Sequence, residues 1–263
     1  MWRFVALLVA LVAGVGAAVW YYRSPESGTP VRVAVRNDDR WIDDLQSRNP
    51  KEAERAAAEL EERGTAALPL IRKTLQDPGA EPARRKAALK ACAILGARAS
   101  EALPDIATLM SDTSYTAEAA LALSFMGSAA VPTLRSAVSD DDPTVRREAL
   151  RSLGKVRERA SIDPQLVIPA LLAAANDTEP EVREVAVTYL GIVRDAPTQA
   201  VPALIKALAD ESPTVRAAAA TALGSYGKDA ESAIPALRKA AADKDEEVQR
   251  EAGRALITIS EKK

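Results

Sequence analysis

Six times along this 263-residue chain a proline recurs in the same apolar setting, and eight residues beyond each one stands an aspartate. The settings are Ala67-Leu68-Pro69, Ala102-Leu103-Pro104, Ala130-Val131-Pro132, Val167-Ile168-Pro169, Ala200-Val201-Pro202 and Ala233-Ile234-Pro235. The aspartates are Asp77, Asp112, Asp140, Asp177, Asp210 and Asp243. Successive prolines are 35, 28, 37, 33 and 33 residues apart. A second motif follows the aspartates: T-V-R-R-E-A-L-R-S-L-G from Thr144, E-V-R-E-V-A-V-T-Y-L-G from Glu181 and T-V-R-A-A-A-A-T-A-L-G from Thr214, with weaker copies from Ser114 and Glu247. Self-similarity at this period means that one supersecondary unit is being stacked, which excludes most compact folds at once.

The physics of a unit can be read from its residues. The proline falls where the first turn of a helix, here helix A, has no intrahelical partner for its N–H groups, so it costs little there. Apolar residues then recur at helical spacing, as in Val201, Leu204, Ile205 and Leu208. The aspartate closes helix A. A following Asp142-Pro143, Glu179-Pro180 or Ser212-Pro213 opens helix B with N-cap chemistry. In helix B, Val215, Ala219 and Leu223 form one stripe, and Ala218, Ala222 and Gly224 are small enough for neighbouring helices to approach closely. No unit can bury its stripe alone, so stacking makes the core. Composition agrees: 48% of residues are hydrophobic but only 4% are aromatic, with alanine and leucine, both strong helix formers, carrying the apolar share. At the front, Asn49-Pro50-Lys51 leads into Ala56 and Leu60 at the same offsets, preceded by a short amphipathic stretch around Trp41, Ile42 and Leu45. The expectation is all-α, with about seven helix pairs.

In these motifs the chain resembles the HEAT repeats, including the variant called PBS-lyase-like HEAT, over roughly residues 38 to 260. The resemblance implies a right-handed α-α superhelical solenoid whose B helices line the concave face. It also implies an aspartate–arginine ladder along the array, carried here by Asp140 with Arg146, Asp177 with Arg183 and Asp210 with Arg216, each six residues apart. The last unit departs with Gln249 in the arginine's place, the third has Thr116, and the first pairs offer no matching arginine. The ladder is therefore expected only in the middle of the solenoid.

Ahead of the repeats, Phe4 to Tyr22 run without a charge, closed by Trp20, Tyr21, Tyr22 and Arg23. Nineteen helical residues cover about 28 Å, enough to cross a bilayer core, and aromatics followed by a cation suit a helix end at the headgroups. Residues 1–23 are expected to form one transmembrane anchor or uncleaved signal. Gly16-Ala17-Ala18 offers a small-residue cleavage site, but the apolar run continues past it. Residues 24–37, with turn formers and no helical period, are expected to be a tether, and residues 38–263 the solenoid. Export of the solenoid, as a single-pass protein of a bacterial membrane, is the expected orientation, although Arg23, Arg32 and Arg36 oppose it under the positive-inside rule.

The chain contains no histidine, so the commonest general base and metal ligand are missing. That excludes the His-Glu diiron chemistry which some HEAT-like enzymes carry. The single cysteine, Cys92, sits in an apolar run and reads as core. Asp140-Asp141-Asp142, Asp43-Asp44 and Glu61-Glu62 read as caps and solvated faces, not as metal or acid–base sites. With 35 basic against 37 acidic residues the chain lacks a nucleic-acid footprint. What remains is a surface. On the B helices, off the buried stripe, lie Arg147, Glu148, Arg151, Glu184, Thr188, Thr221, Arg250, Glu251 and Arg254. They suit a protein or extended peptide, and six cations between Arg146 and Arg159 favour an acidic one. The sequence thus points to a non-catalytic, membrane-tethered scaffold with no metal or cofactor. The alternative, which the family resemblance supplies, is a bilin-lyase-like enzyme or enzyme subunit.

Overall fold

The structure, a computed structural model, describes residues 19–23, 30–34, 39–159 and 162–261. Among them are fourteen α-helices in seven consecutive pairs. The A helices are α1 (Arg40–Asp44), α3 (Leu68–Gln76), α5 (Leu103–Met110), α7 (Val131–Ala137), α9 (Ile168–Ala174), α11 (Pro197–Ala207) and α13 (Ile234–Ala240). The B helices are α2 (Pro50–Arg63), α4 (Pro82–Leu95), α6 (Thr116–Phe125), α8 (Pro143–Arg159), α10 (Pro180–Val193), α12 (Pro213–Tyr226) and α14 (Glu246–Glu261).

Five of the six motif prolines are the second residue of their A helix. Pro202 is the exception and lies inside α11, which starts early at Pro197 after Ala196 turns the chain with a φ of 51°. B helices α2, α4 and α12 end at Gly64, Gly96 and Gly227, whose φ values of 54–56° only glycine adopts without strain. In α10 the same place is taken by Arg194 at φ 50°. The strained segment is held by its neighbours: Arg157 pairs with the Asp195 carboxylate at 2.8 Å, and the Tyr226 hydroxyl donates to the Leu190 and Asp195 carbonyls. Burial pushes that phenol up to about 12, so it remains a donor.

One continuous core runs the length of the array, built from Ile71, Leu89, Ile106, Leu123, Leu134, Leu150 and Leu153 and their equivalents. Cys92 is fully buried within it, and desolvation pushes its thiol to about 12. It is core, with no thiolate character at neutral pH.

Most of residues 1–37 lies outside the described residues, including the greater part of the expected anchor at 4–22 and of the tether. The described part corrects the expectation at one point. Val19–Arg23 forms strand β1, paired antiparallel with strand β2, Pro30–Ala34, in a register that pairs Trp20 with Val33 and Tyr22 with Val31 along the backbone. The physical reason is that β-branched and aromatic residues make up four of the five residues of β1, and valines alternate at Val31 and Val33 in β2. The turn formers Ser24 to Thr29 separate them. Among the described residues no helix is long and apolar enough to cross a membrane.

Candidate interaction surface

The six motif aspartates are where the site begins, because they set the geometry of every repeat. Each folds back on its own loop: Oδ1 accepts the N–H two residues on, at Gly79, Ser114, Asp142, Glu179, Ser212 and Asp245, at 2.8–3.0 Å. This Asx turn presents the next helix start. It also revises the expected capping: Glu179 and Ser212 make no side-chain cap bond, and the aspartate upstream accepts the N–H of the cap residue itself. Asp142 and Asn49 do cap their own helices, accepting from Thr144 and Lys51.

The ladder carries a larger correction. The carboxylate partner of each arginine is the aspartate of the following unit, not the one six residues before it. Arg146 clasps Asp177 with Nε and Nη2 at 2.8 and 2.7 Å, Arg183 clasps Asp210 at 2.8 Å twice, and Arg216 clasps Asp243 at 2.9 and 2.8 Å. Within its own unit each arginine reaches only the main chain: Nη1 donates to the carbonyls of Asp140, Asp177 and Asp210 at 2.9–3.0 Å. The carboxylate is already committed to the Asx turn and faces outward along the array, which puts it within reach of the preceding repeat. Burial pushes the Asp210 carboxyl upward, but the Arg183 clasp, the Ser212 N–H and the charges of Arg183 and Arg216 outweigh it and hold the group below its ordinary value. Asp177 behaves in the same way.

At its ends the ladder thins by substitution. Thr116 donates to Met110 and Asp112 carbonyls, Ser111 takes the place of an arginine on Asp140, and Gln249 donates to the Asp243 carbonyl. A front-end arginine does exist. Arg85, missed because it stands eight residues after Asp77, donates to the Asp77 carbonyl and to the Tyr115 hydroxyl.

Held in this register, the B helices pack directly on one another, α8 on α10, α10 on α12 and α12 on α14, whereas successive A helices meet only sparingly. A stack whose one layer is closer set curves toward that layer, so the B helices form the inner wall. Close approach depends on missing side chains: a Cβ on Gly191 would lie 2.6 Å from Ala222 Cα, and one on Gly224 3.2 Å from Ala255 Cα.

The inner wall holds the predicted surface residues in three groups. On α8, Arg147 and Arg151 both bond Glu148, at 3.2 and 3.3 Å. On α10, Thr188 is exposed and Glu184 half-buried. On α12 and α14, Thr221 and Arg254 converge on Glu251 at 3.3 and 2.8 Å, and Arg250 pairs with Glu247 beside them. Thr221, Glu251 and Arg254 line an open trough of about 480 Å³ with Ile192, Arg194 and Ser225. Apolar members of this wall were not foreseen: Leu121 and Phe125 on α6 and Ile192 on α10 are 43%, 44% and 45% exposed. Aligning the B helices on their first buried residue would have found them. No group of metal-ligating side chains occurs among the described residues.

Paired helices stacked on a continuous core, keyed by an arginine–aspartate ladder, define an α-solenoid repeat protein. The family model for HEAT repeats matches residues 111–164 and 168–257, more than half of the sequence, and the chain belongs to the HEAT repeat family. No curated protein matches it. Among solved structures, it is similar to an engineered protein (21% identity, TM-score 0.52, covering 84% of this chain and 67% of that one). It is also similar to the complex of CpcE and CpcF of phycocyanin lyase from Nostoc sp. PCC7120 (24% identity, TM-score 0.50, 59% of this chain and 98% of that one). At these identities the likeness is one of fold.

Proposed function

We propose that the chain is a non-catalytic scaffold, tethered to a bacterial membrane through the apolar N-terminal segment that precedes β1, that binds a protein or an extended peptide on the inner wall of its solenoid. The observation that carries this reading is the open trough on α10, α12 and α14, into which side chains of three successive repeats converge. Such a surface buries a chain laid across many repeats, which is how solenoids gain contact area. The solenoid is placed on the extracytoplasmic side. The PBS-lyase-like variant of the repeat is the subclass this reading favours, and the enzyme alternative, raised by the family resemblance, gains from the comparisons only a likeness of fold to the phycocyanin lyase complex.

Two measurements test the reading. The full chain should partition into the membrane fraction and the chain lacking residues 1–23 into the soluble fraction; equal partitioning would remove the tether. Absorbance and intact mass of the purified full chain should show polypeptide only, and a bound chromophore would turn the assignment to an enzyme of the bilin-lyase type.

A further inference from the structure

The chemistry of the partner is written in the two rows of side chains that face the groove. A buried residue marks the start of each of α6, α8, α10, α12 and α14, namely Tyr115, which immediately precedes α6, and Val145, Val182, Val215 and Val248 in the first turns of the others. The sixth and tenth residues after each are the positions that look away from the core. Their placement is visible at the C-terminal end, where Ile192, Thr221, Ser225, Arg254 and Thr258, all from these two rows, line the trough. Across the five helices the ten positions contain cations, apolar side chains and hydroxyls, but not one carboxylate. The carboxylates of the same wall stand outside these two rows, and two of them are already engaged: Glu148 is bonded by Arg147 and Arg151, and Glu251, which also lines the trough, by Arg254.

The apolar residues stand at two stations. The first is Leu121 and Phe125 on α6, one helical turn apart, nearly half exposed. Arg159 lies over the Phe125 ring at 4.0 Å and donates to Ser124 Oγ, and Lys155 is the next position of the same row on α8. The second is Ile192, which shares the trough with Arg194. Arg151 and Arg254 already have carboxylate partners in Glu148 and Glu251. Lys155, Arg159 and Arg194 make no ion pair among the described residues, so each apolar station is flanked by cations whose charge is unanswered.

Resting on the scaffold reading above, we infer that the groove takes an extended acidic peptide segment carrying two apolar anchors, one for each station. Apolar contact supplies affinity there, and unpaired cations select carboxylates between and beside the anchors. The stations are two helix spacings apart, about 16–20 Å, which an extended chain covers in about six residues.

The test is fluorescence anisotropy of labelled synthetic peptides against the full chain. The first peptide carries leucine and phenylalanine anchors about six residues apart in an Asp/Glu/Gly background. The second replaces its acids with lysine, the third replaces its anchors with serine, and a thymidine oligonucleotide serves as a non-peptide polyanion. The first should bind, with affinity falling as salt rises. The second should not bind, and the third and the oligonucleotide should bind at least about tenfold more weakly, a difference of about 1.4 kcal/mol. Phe125→Ser and Lys155→Glu, both with unchanged circular dichroism, should each weaken the first peptide by a similar factor. No binding of the first peptide, equal binding of the second, preference for the oligonucleotide, or indifference to both substitutions would overturn the inference. Binding of the lysine peptide that is lost on Thr221→Trp would overturn the acidic assignment and leave the inner wall as the docking face. Loss of binding only on the outer-layer change Lys239→Glu would overturn both readings.

Discussion

Each ladder aspartate does two jobs with one carboxylate, closing its own loop through the N–H two residues on and receiving the arginine of the preceding repeat. Asp210→Ala should therefore leave Arg183, which is only 7% exposed, with its guanidinium facing an empty position, and should cost about 1–3 kcal/mol in a chemical denaturation experiment. Arg151→Ala, on the exposed inner wall, should stay within about 0.5 kcal/mol. If Asp210→Ala melts like the parent, the clasp contributes nothing. The same carboxylates predict a pH dependence. Asp177, Asp210 and Asp243 titrate below their ordinary value in the folded chain. The unfolded chain therefore binds protons first, and the ladder's contribution is complete above about pH 4–5. It is lost as pH falls through the lowered folded-state values. Asp210→Asn, which has no carboxyl to titrate at that position, should show a shallower acid limb than the parent. Equal limbs would show that the clasp does not shift the titration.

At the scale of the element, two helical glycines should respond to the same substitution with opposite signs. Gly191→Ala drives a methyl group into the backbone of α12, since its Cβ would lie 2.6 Å from both Cα and Cβ of Ala222, and overpacking of this kind costs about 1–3 kcal/mol. Gly253→Ala in α14 meets nothing within 4 Å and should gain about 0.5–1 kcal/mol from the lost freedom of the unfolded chain. Thermal melts of the two variants on either side of the parent would support the close-set B layer; two shifts in one direction would contradict it. The helices themselves were legible in the sequence because proline, aspartate and the apolar stripe repeat together. The ladder was legible in its residues but not in its pairing. A spacing of six suggests a local partner, and only the Asx turn, invisible in the spacing, directs the carboxylate to the preceding repeat. Arg85 was hidden by the two extra residues around Gly79 and Ala80. Val19 to Tyr22 read as the end of an apolar helix because uncharged length does not separate helix from strand.

Over the whole molecule, a core distributed along the array leaves two unlike faces, an outer A layer and an inner B layer that gathers side chains from successive repeats. Of the expected surface residues, the structure places Thr221, Glu251 and Arg254 in one trough, clusters Arg147 and Arg151 on Glu148, and adds an apolar component that charge counting along the sequence could not show. The central claim is that the inner wall is where a protein partner lies. Site-specific photocrosslinking in the full chain, expressed in its native membranes, tests it most directly. A photoreactive residue at Thr188 or Thr221 on the inner wall should yield a discrete protein adduct. The same residue at Ala173 or Lys239 on the exposed outer layer should yield none. Adducts confined to the outer positions, or none at either inner position, would contradict the account.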